Sequence, residues 1–314
     1  MNSAQMSVVI PTYQRRESIK RLLNALKHQR IQPDRFEVLV VIDGSSDGTE
    51  DLIANIKTPY SLRAICQPNR GRAAACNTGI RNAHGDIIVL LDDDMEPESG
   101  FLAAHWQAHQ GQKRLGVVGA VPVAARPGSS YASLYISEKF RQHLEKLSQQ
   151  GYQLTLRDFY SGNFSIKRKC LLEVGLFDEE FRIYGNEDLE LSLRLRKAGV
   201  SLVYCRDALA YQYYEKDFSA LARDNIAKGM TAVLFARKHP EVYSELKLSK
   251  YAEGSWQWRI LRAGLLRLSR VWSRMPDYVI QAVTSVDRAR HVPLHFLYQF
   301  VLDYFFWLGV QNAQ

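Results

Sequence analysis

The sequence predicts an α/β fold, in which a mostly parallel sheet has helices on both faces and is followed by a C-terminal helical extension. Three short apolar runs, at residues 7–10, 38–42 and 87–91, have the length and hydrophobicity of buried strands. Between the first two, apolar residues from Ile19 to Leu26 follow the spacing of one helix face. Buried strands that alternate with helices are typical of parallel sheets covered on both sides. From about residue 217 the pattern changes to helices, so we expect a boundary near residue 215.

Each predicted strand ends in polar loop residues. The first run stops at Pro11, the turn-rich segment 43–48 closes the second, and three aspartates at 92–94 follow the third. The carboxyl ends of parallel strands meet at one edge of a sheet, where ligands of such folds bind. We therefore expect these loops to line one pocket.

Composition excludes several classes of protein. With 314 residues, 46% hydrophobic and 11% aromatic, the chain can build a core and is not mainly disordered. Its four cysteines are far apart and show no metal-binding spacing, which is typical of thiols in a reducing compartment. The N-terminal residues lack a basic patch followed by an apolar stretch, so we expect a cytoplasmic protein. The formal charge of +8 favours an anionic partner, such as a nucleotide or an acidic membrane surface.

Asp92, Asp93 and Asp94 form the first candidate site. Carboxylates gathered at the end of a buried strand repel one another unless a cation neutralises them. Hard divalent cations prefer such oxygens, and Mg²⁺ uses one or two carboxylates together with substrate phosphates. The alternative interpretation is a solvated acidic loop.

Residues 69–79 form the second candidate site. Gly71 allows close backbone approach, and the N-terminus of the helix that should follow offers unpaired N–H groups to an anion. Arg70 and Arg72 add positive charge suited to phosphate. A capped amphipathic helix without a ligand explains the same residues equally well.

Glu187 and Asp188 form the third candidate site. They fall in the first turn of a helix that should end at Gly199, where the helix dipole keeps a carboxylate ionised and able to accept a proton. Acids that merely stabilise the start of the helix are the alternative.

In combination these segments resemble the inverting glycosyltransferases of family 2, which have the GT-A fold with a Rossmann-like sheet. The resemblance covers about residues 6–240. Its landmarks occur in the family's order: SVVIPTY at 7–13, VVIDGSSDGT at 40–49, NRGRAAACNTG at 69–79, the D-x-D motif at 92–94, Gly162-Asn163 and GNED at 185–188.

The resemblance implies a role for each matching residue. The nucleotide-binding set would be Pro11, Thr12, Tyr13, Arg15, Asp43, Asn69, Arg72, Asn77, Asp92 and Asp93. Asp94, with Asp92, would ligate Mn²⁺ or Mg²⁺, while Gly162 and Asn163 would face the acceptor. Asp188 would be the general base, and Glu187 would orient a substrate. Residues 1–115 would form the nucleotide-sugar half of the catalytic domain, 116–215 the acceptor half and 216–314 the helical extension.

The implied reaction moves a sugar from a nucleoside diphosphate to a hydroxyl of a saccharide or lipid-linked acceptor. The nucleoside diphosphate would be UDP, which members of the family usually use. One feature departs from the family, which often has a metal-binding His after the last strand, where this chain has Gln212. We therefore expect weak metal binding until the donor arrives. A nucleotidyltransferase and a non-catalytic sugar-nucleotide-binding protein are the alternatives. Nucleic acid is not an expected partner, because the basic residues are scattered or lie in the tail.

The C-terminal third predicts helices at 216–238, at 256–275 where Pro276 would end the helix, and at 294–309. On a helical wheel the second is amphipathic. Its basic arc contains Arg259, Arg262, Arg267, Arg270 and Arg274. Tryptophan and aliphatic residues fill most of the opposite side, which is typical of a helix lying on a membrane surface. Packing against the catalytic domain and self-association into a homodimer are the alternatives.

Overall fold

The computed structural model describes residues 4–124, 130–289 and 295–313. The chain divides into two compact units. The first contains residues 4–124, 137–182 and 187–214, and the second contains 130–136, 183–186 and 215–313 within the described ranges. Two short segments, 130–136 and 183–186, thus join the helical unit although they lie within the range expected for the catalytic domain.

Eight strands of the described residues, all in the first unit, form one sheet. They are β1 Met6–Thr12, β2 Phe36–Asp43, β3 Ser61–Gln67, β4 Ile87–Leu91, β5 Met95–Pro97, β6 Leu115–Ala120, β7 Asn163–Lys167 and β8 Ser201–Gln212. Their order across the sheet is β3-β2-β1-β4-β7-β6-β8-β5. Strands β3, β2, β1 and β4 run parallel, as do β6 and β8. Strand β7 is antiparallel to both β4 and β6, and β5 is antiparallel to β8. The predicted α/β class with a mostly parallel sheet is confirmed.

Helices cover both faces of this sheet. They are α1 Arg16–Leu26, α2 Thr49–Asn55, α3 Arg72–Asn82, α4 Phe101–Ala108, α5 Tyr131–Leu147, α6 Arg168–Glu173 and α7 Glu187–Lys197. Helix α5 crosses the division between the units. Along β1, Val8 and Ile10 join one apolar cluster, which also contains residues of α1 and α4, whereas Val9 joins a second cluster with residues of α3, α6 and α7. This alternation is the two-residue period of a strand buried on both sides.

The second unit is helical. Its longer helices are α8 Phe218–Lys238, α9 Trp256–Val271, α10 Met275–Ala289 and α11 His295–Asn312. Helices α8 and α11 approach each other closely through glycines. An ideal Cβ on Gly309 would lie 2.0 Å from the Ile226 carbonyl oxygen, and one on Gly229 would lie 2.0 Å from the Phe306 carbonyl oxygen. Only residues without a side chain fit this crossing.

The predicted helix at 256–275 is wrong at its C-terminal end. Helix α9 ends at Val271, and Pro276 is the second residue of α10 instead of a terminator. Proline is well accommodated in a first helical turn, because the N–H that it lacks would have no partner there. Leu294, where the last helix was expected to begin, lies outside the described residues.

Across the described ranges, no helix combines the length and the hydropathy that a bilayer-spanning helix requires.

Candidate active site

The loop before α3 is shaped by a buried carboxylate at the end of β2. Asp43 Oδ1 accepts a hydrogen bond from the Arg70 N–H at 2.9 Å, and its Oδ2 accepts one from the Gly71 N–H at 2.8 Å. Gly71 has φ 87°, and a Cβ there would lie 2.8 Å from the Arg182 carbonyl oxygen, so glycine is required. Helix α3 therefore begins directly at Arg72.

The Arg72 guanidinium joins the three candidate sites. Its Nη2 lies 2.7 Å from Asp92 Oδ1, while its Nη1 lies 3.2 Å from Asp188 Oδ1 and 3.7 Å from Glu187 Oε1. Nη1 also donates to Ser161 Oγ at 2.9 Å. Burial by itself lowers the pKa of Arg72, but the surrounding negative charge, Asp92 foremost, raises it well above its ordinary value.

Sheet topology explains why distant segments meet at Arg72. Strands β4 and β7 are antiparallel with Leu91 opposite Asn163, so the residues just after β4 lie beside those just before β7. The Asp92 N–H donates to the Gly162 carbonyl oxygen at 2.9 Å. A Cβ on Gly162 would lie 2.3 Å from Asp92 Oδ2, so only glycine permits this approach. The cluster thus depends on strand pairing in the first unit.

Ser161 belongs to this cluster, and sequence reasoning assigned it no role. Its Oγ donates a hydrogen bond of 2.5 Å to Asp188 Oδ1, and its side chain is fully buried. The one available signal was its position beside Gly162-Asn163, in a segment that matched the family.

A second group of residues surrounds Asp93. Thr12 Oγ1, at the end of β1, donates to Asp93 Oδ2 at 2.7 Å. Burial and the charge of Asp94 raise the pKa of Asp93 to about 7, although the positive charge of Arg15 acts in the opposite direction. Asp93 is therefore held by a hydrogen bond from Thr12, and its pKa depends on the charges of Arg15 and Asp94.

Asp94 lies against the residue that replaces the family's histidine. The Gln212 amide nitrogen contacts the two carboxylate oxygens of Asp94 at 3.2 and 3.3 Å. Within the described part of the chain, no three His, Cys, Asp or Glu side chains group closely enough to hold a metal ion by themselves. The oxygens present are hard ligands of the kind that Mg²⁺ and Mn²⁺ prefer, but they make up only part of a ligand set.

The amides of Asn77 and Asn163 are buried and bonded to the protein's own main chain. Asn77 Nδ2 donates to the Phe177 carbonyl oxygen at 2.9 Å. Asn163 Nδ2 donates to the carbonyl oxygens of Ala120 and Ala208 at 3.1 and 2.9 Å. Both side chains hold neighbouring segments in place, so the acceptor contact expected for Asn163 does not fit its position.

The remaining residues expected to bind nucleotide lie near the carboxyl ends of β1 and β3. Pro11 is buried within β1, and Tyr13, which follows that strand, is exposed. Asn69 is exposed in the loop after β3. This loop packs against Gly44, because a Cβ on Gly44 would lie only 2.8 Å from the Asn69 main-chain nitrogen. Tyr13 and Asn69 are therefore accessible, unlike the buried Asp43.

This arrangement combines two chemical capacities. A guanidinium held by carboxylates can bind an anionic group such as a phosphate, because Arg presents several N–H donors in a planar fork. A carboxylate in the first turn of α7, beside that guanidinium, can accept a proton.

Comparison with known families identifies the protein class. Residues 7–175 match the profile described as Glycosyl transferase family 2, and residues 152–244 match the profile described as Glycosyltransferase like family 2. The chain belongs to glycosyltransferase family 2. The resemblance inferred from the sequence motifs is thereby confirmed.

The chain is 29% identical over 252 residues to the uncharacterized glycosyltransferase YfnE of Bacillus subtilis. That match covers 65% of this chain and 63% of YfnE, so the chain spans less than two thirds of that relative's length.

Solved structures show the same GT-A fold. Mannosyltransferase PcManGT from Pyrobaculum calidifontis, in complex with GDP-Man and Mn²⁺, has a TM-score of 0.62 at 22% identity, covering 98% of this chain and 86% of that one. Staphylococcus aureus TarS 1–349, in complex with UDP, has a TM-score of 0.55 at 16% identity, covering 99% and 92%. At such identities the likeness establishes the fold alone.

Proposed function

We propose that this glycosyltransferase transfers a sugar from a nucleoside diphosphate to an acceptor hydroxyl with inversion, and that Asp188 is the general base. One observation carries the proposal: Arg72 contacts both Asp92, after β4, and Asp188, at the start of α7. A group suited to phosphate, a candidate donor-binding carboxylate and a candidate base therefore share one site.

The diphosphate is the part of the donor that this site suits best. An incoming diphosphate would compete with the carboxylates for Arg72, because phosphate oxygens accept from a guanidinium in the same geometry. We assign the base and ribose to the loops after β1, β2 and β3, where the exposed Tyr13 and Asn69 would contact them and the buried Thr12 and Asp43 would hold those loops in place. UDP-sugars are our first choice of donor. The complex of TarS with UDP supports this choice, and the complex of PcManGT with GDP-Man makes guanosine the next to test.

Mn²⁺ or Mg²⁺ is the cofactor that we propose. Asp94, with Asp92, would hold the ion. Gln212, whose amide nitrogen donates to Asp94, would turn its amide so that its neutral oxygen faces the ion. When bound, such an ion stabilises the negative charge of the departing diphosphate. The incomplete ligand set and the Mn²⁺ in the PcManGT complex both support binding together with the donor.

The chain's own residues would perform the proton transfer. As the bond to the diphosphate weakens, positive charge builds on the anomeric carbon and an acceptor hydroxyl attacks the opposite face of the sugar. Asp188 would remove the hydroxyl proton, which contributes about 10²–10⁴-fold to rate. A single displacement inverts the anomeric centre. We propose a saccharide or a lipid-linked saccharide as the acceptor; the cytoplasmic location stays a prediction.

Asp188→Asn tests the proposal. We expect turnover to fall at least about 100-fold while UDP binding, measured by calorimetry with Mn²⁺, stays within a few-fold of wild type. Glu190→Gln is the matched control, because Glu190 lies on the same helix and pairs with Arg194 instead. Wild-type turnover in Asp188→Asn would refute the base assignment. Release of pyrophosphate with a newly formed sugar nucleotide would instead show a nucleotidyltransferase.

A further inference from the structure

Helix α9 of the second unit has two apolar sides, and only one of them is covered. On the covered side, Leu266 is buried, Trp258 Nε1 donates to Asp303 of α11 at 3.1 Å, and Ser269 Oγ lies 2.7 Å from the Tyr304 hydroxyl. The structure therefore shows which side of this helix packs against its neighbour.

One of the five arginines of the predicted basic arc lies on that covered side. Arg262 is buried, its Nη1 lies 2.8 Å from Asp303 Oδ2, and its guanidinium stacks on the rings of Tyr251 and Trp307. Arg262 is thus part of the fold, and the expectation that all five arginines share one outward arc is wrong for this residue.

The other side of α9 remains exposed although it is apolar. Trp256 is 66% exposed, Ile260 64% and Val271 90%, and Leu261, Leu268 and Trp272 are exposed as well. At about 100° per residue, the five of these side chains that belong to α9 fall within an arc of about 140°, and Trp272 follows directly after the helix. The Trp272 ring also packs against the ring of Tyr278 on α10, with the two ring centroids 4.9 Å apart, and Tyr278 is half exposed. We call this set of seven side chains the outer face of α9. Contiguous exposed apolar surface of this kind marks an interaction site.

Unpaired positive charge lies on and beside the outer face. Arg259, Arg267, Arg270 and Arg274 are exposed, and none of them forms an ion pair with any residue in the described part of the chain. The segment 256–275 contains no Asp, Glu or Lys. Its charge is therefore entirely that of its arginines.

This charge distinguishes between the candidate occupants. A second copy seated symmetrically on the outer face would bring the same unpaired arginines together, which opposes association. An anionic lipid surface complements those arginines, while the tryptophan and aliphatic side chains enter the boundary between headgroups and acyl chains. A helix lying in the plane of the membrane needs no spanning length, which α9 does not have.

We propose that the outer face of α9 docks this glycosyltransferase on a membrane containing anionic lipid. The docking is independent of the proposed reaction, because it needs neither donor nor acceptor. Each outward arginine contributes attraction that salt screens, and each aliphatic side chain contributes burial that salt does not weaken.

Co-sedimentation of the full chain with vesicles tests the proposal. We expect binding to phosphatidylcholine vesicles containing 30% phosphatidylglycerol, weak binding to phosphatidylcholine alone, and a decline as salt increases. The double variant R267Q/R270Q should bind about 25-fold more weakly, at about fivefold for each arginine. The matched control is R35Q/R157Q, which removes the same charge from two exposed positions of the first unit and should bind as wild type does.

A second variant tests the apolar contribution. Ile260 and Val271 are exposed, so I260S/V271S leaves the core intact and should weaken binding while preserving the preference for anionic lipid. Equal binding by R267Q/R270Q and its control, or by I260S/V271S and wild type, would overturn the proposal. So would a failure of the wild-type chain to bind anionic vesicles. A dimer in solution that I260S/V271S dissociates, without vesicle binding by wild type, would assign the face to a second copy.

Discussion

Ser161 Oγ donates a 2.5 Å hydrogen bond to Asp188 Oδ1, the same oxygen that faces Arg72 Nη1 at 3.2 Å. Two donors thus converge on one carboxylate oxygen, and both come from segments far away in sequence. The other oxygen, Oδ2, makes neither of these contacts. If Asp188 is the general base, Ser161 positions it by fixing the orientation of the carboxylate.

Ser161→Ala should lower turnover more than it changes donor binding. A single hydrogen bond is worth about 1 kcal/mol, so we expect kcat to fall about fivefold. The KM for the donor should change less, because Arg72, which also donates to Ser161 Oγ, keeps its contacts with Asp92 and Asp188. The measurement is steady-state kinetics at saturating acceptor.

Ser192→Ala is the matched control for that variant. Ser192 is a fully buried serine of α7 whose Oγ has no hydrogen-bond partner among the described residues, so its loss should leave both turnover and stability unchanged. Equal effects of the two substitutions on kcat would show that Ser161 acts through packing and not through Asp188.

Gln212→His should restore the metal ligand that the family often has at this position. Because Gln212 already contacts Asp94, an imidazole there would add a nitrogen ligand beside a carboxylate. We expect Mn²⁺ affinity without nucleotide to rise about tenfold in a calorimetric titration, the lower end of what changes around a metal site produce.

Tyr211→His provides the comparison for the metal experiment. Tyr211 precedes Gln212 in β8, so its side chain points to the opposite face of the strand. A rise in Mn²⁺ affinity from Tyr211→His as well, or tight Mn²⁺ binding by the wild-type chain without nucleotide, would contradict this account of the site.

The sequence predicted the parts of this structure that depend on local patterns. The runs at 38–42 and 87–91 identified β2 and β4, because buried strands of a parallel sheet are continuously apolar. The approach of Asp92 to Arg72 follows from the rule that loops at the carboxyl ends of strands share one edge.

Features that depend on long-range contacts could not be predicted. Gly162 lies beside Asp92 because β7 pairs with β4, and the neighbouring Ser161 contacts Asp188 of α7. No local pattern reveals either approach. Arg262 is buried because Asp303, far along the chain, supplies its counter-charge. Asn163 is a polar residue in a family motif, but carbonyl groups of two distant segments hold its amide.

A buried histidine pair should make the protein sensitive to acid. His105 contacts Ser165 at 2.7 Å and His109 contacts the same hydroxyl at 2.8 Å. Burial lowers the pKa of His105 to about 3 and that of His109 to about 4. Both are neutral in the folded protein at pH 5, whereas the unfolded chain protonates them below about pH 6.5. The free energy of unfolding should therefore decrease as pH falls from 6.5 towards 4.

The decrease should be about 1.4 kcal/mol per pH unit for each of these histidines. Urea denaturation at several pH values between 7.5 and 5 measures how the free energy of unfolding depends on pH. In His109→Gln this dependence should be weaker by about 1.4 kcal/mol per pH unit, because the contribution of one histidine is lost. Glutamine retains a polar group near Ser165. His143, whose pKa burial also lowers, contributes to the decrease, whereas Asp93, whose pKa is raised to about 7, opposes it. Both contribute equally to wild type and variant and so cancel in the comparison. An unchanged slope in the variant would show that His109 is protonated in the folded protein.

Gly309→Ala should destabilise the second unit. The added Cβ would lie 2.0 Å from the Ile226 carbonyl oxygen, so α8 and α11 would have to separate. Forced separation of well-packed elements costs about 1–3 kcal/mol, and we expect a lower thermal unfolding temperature for the full chain. Gly264→Ala is the control, because Gly264 lies within α9 and no atom of the part of the chain that the structure describes lies within 4 Å of its added Cβ. There alanine should stabilise the helix by about 0.5–1 kcal/mol. Shifts of the same sign in both variants would mean that helix propensity, and not the close approach at Gly309, governs this unit.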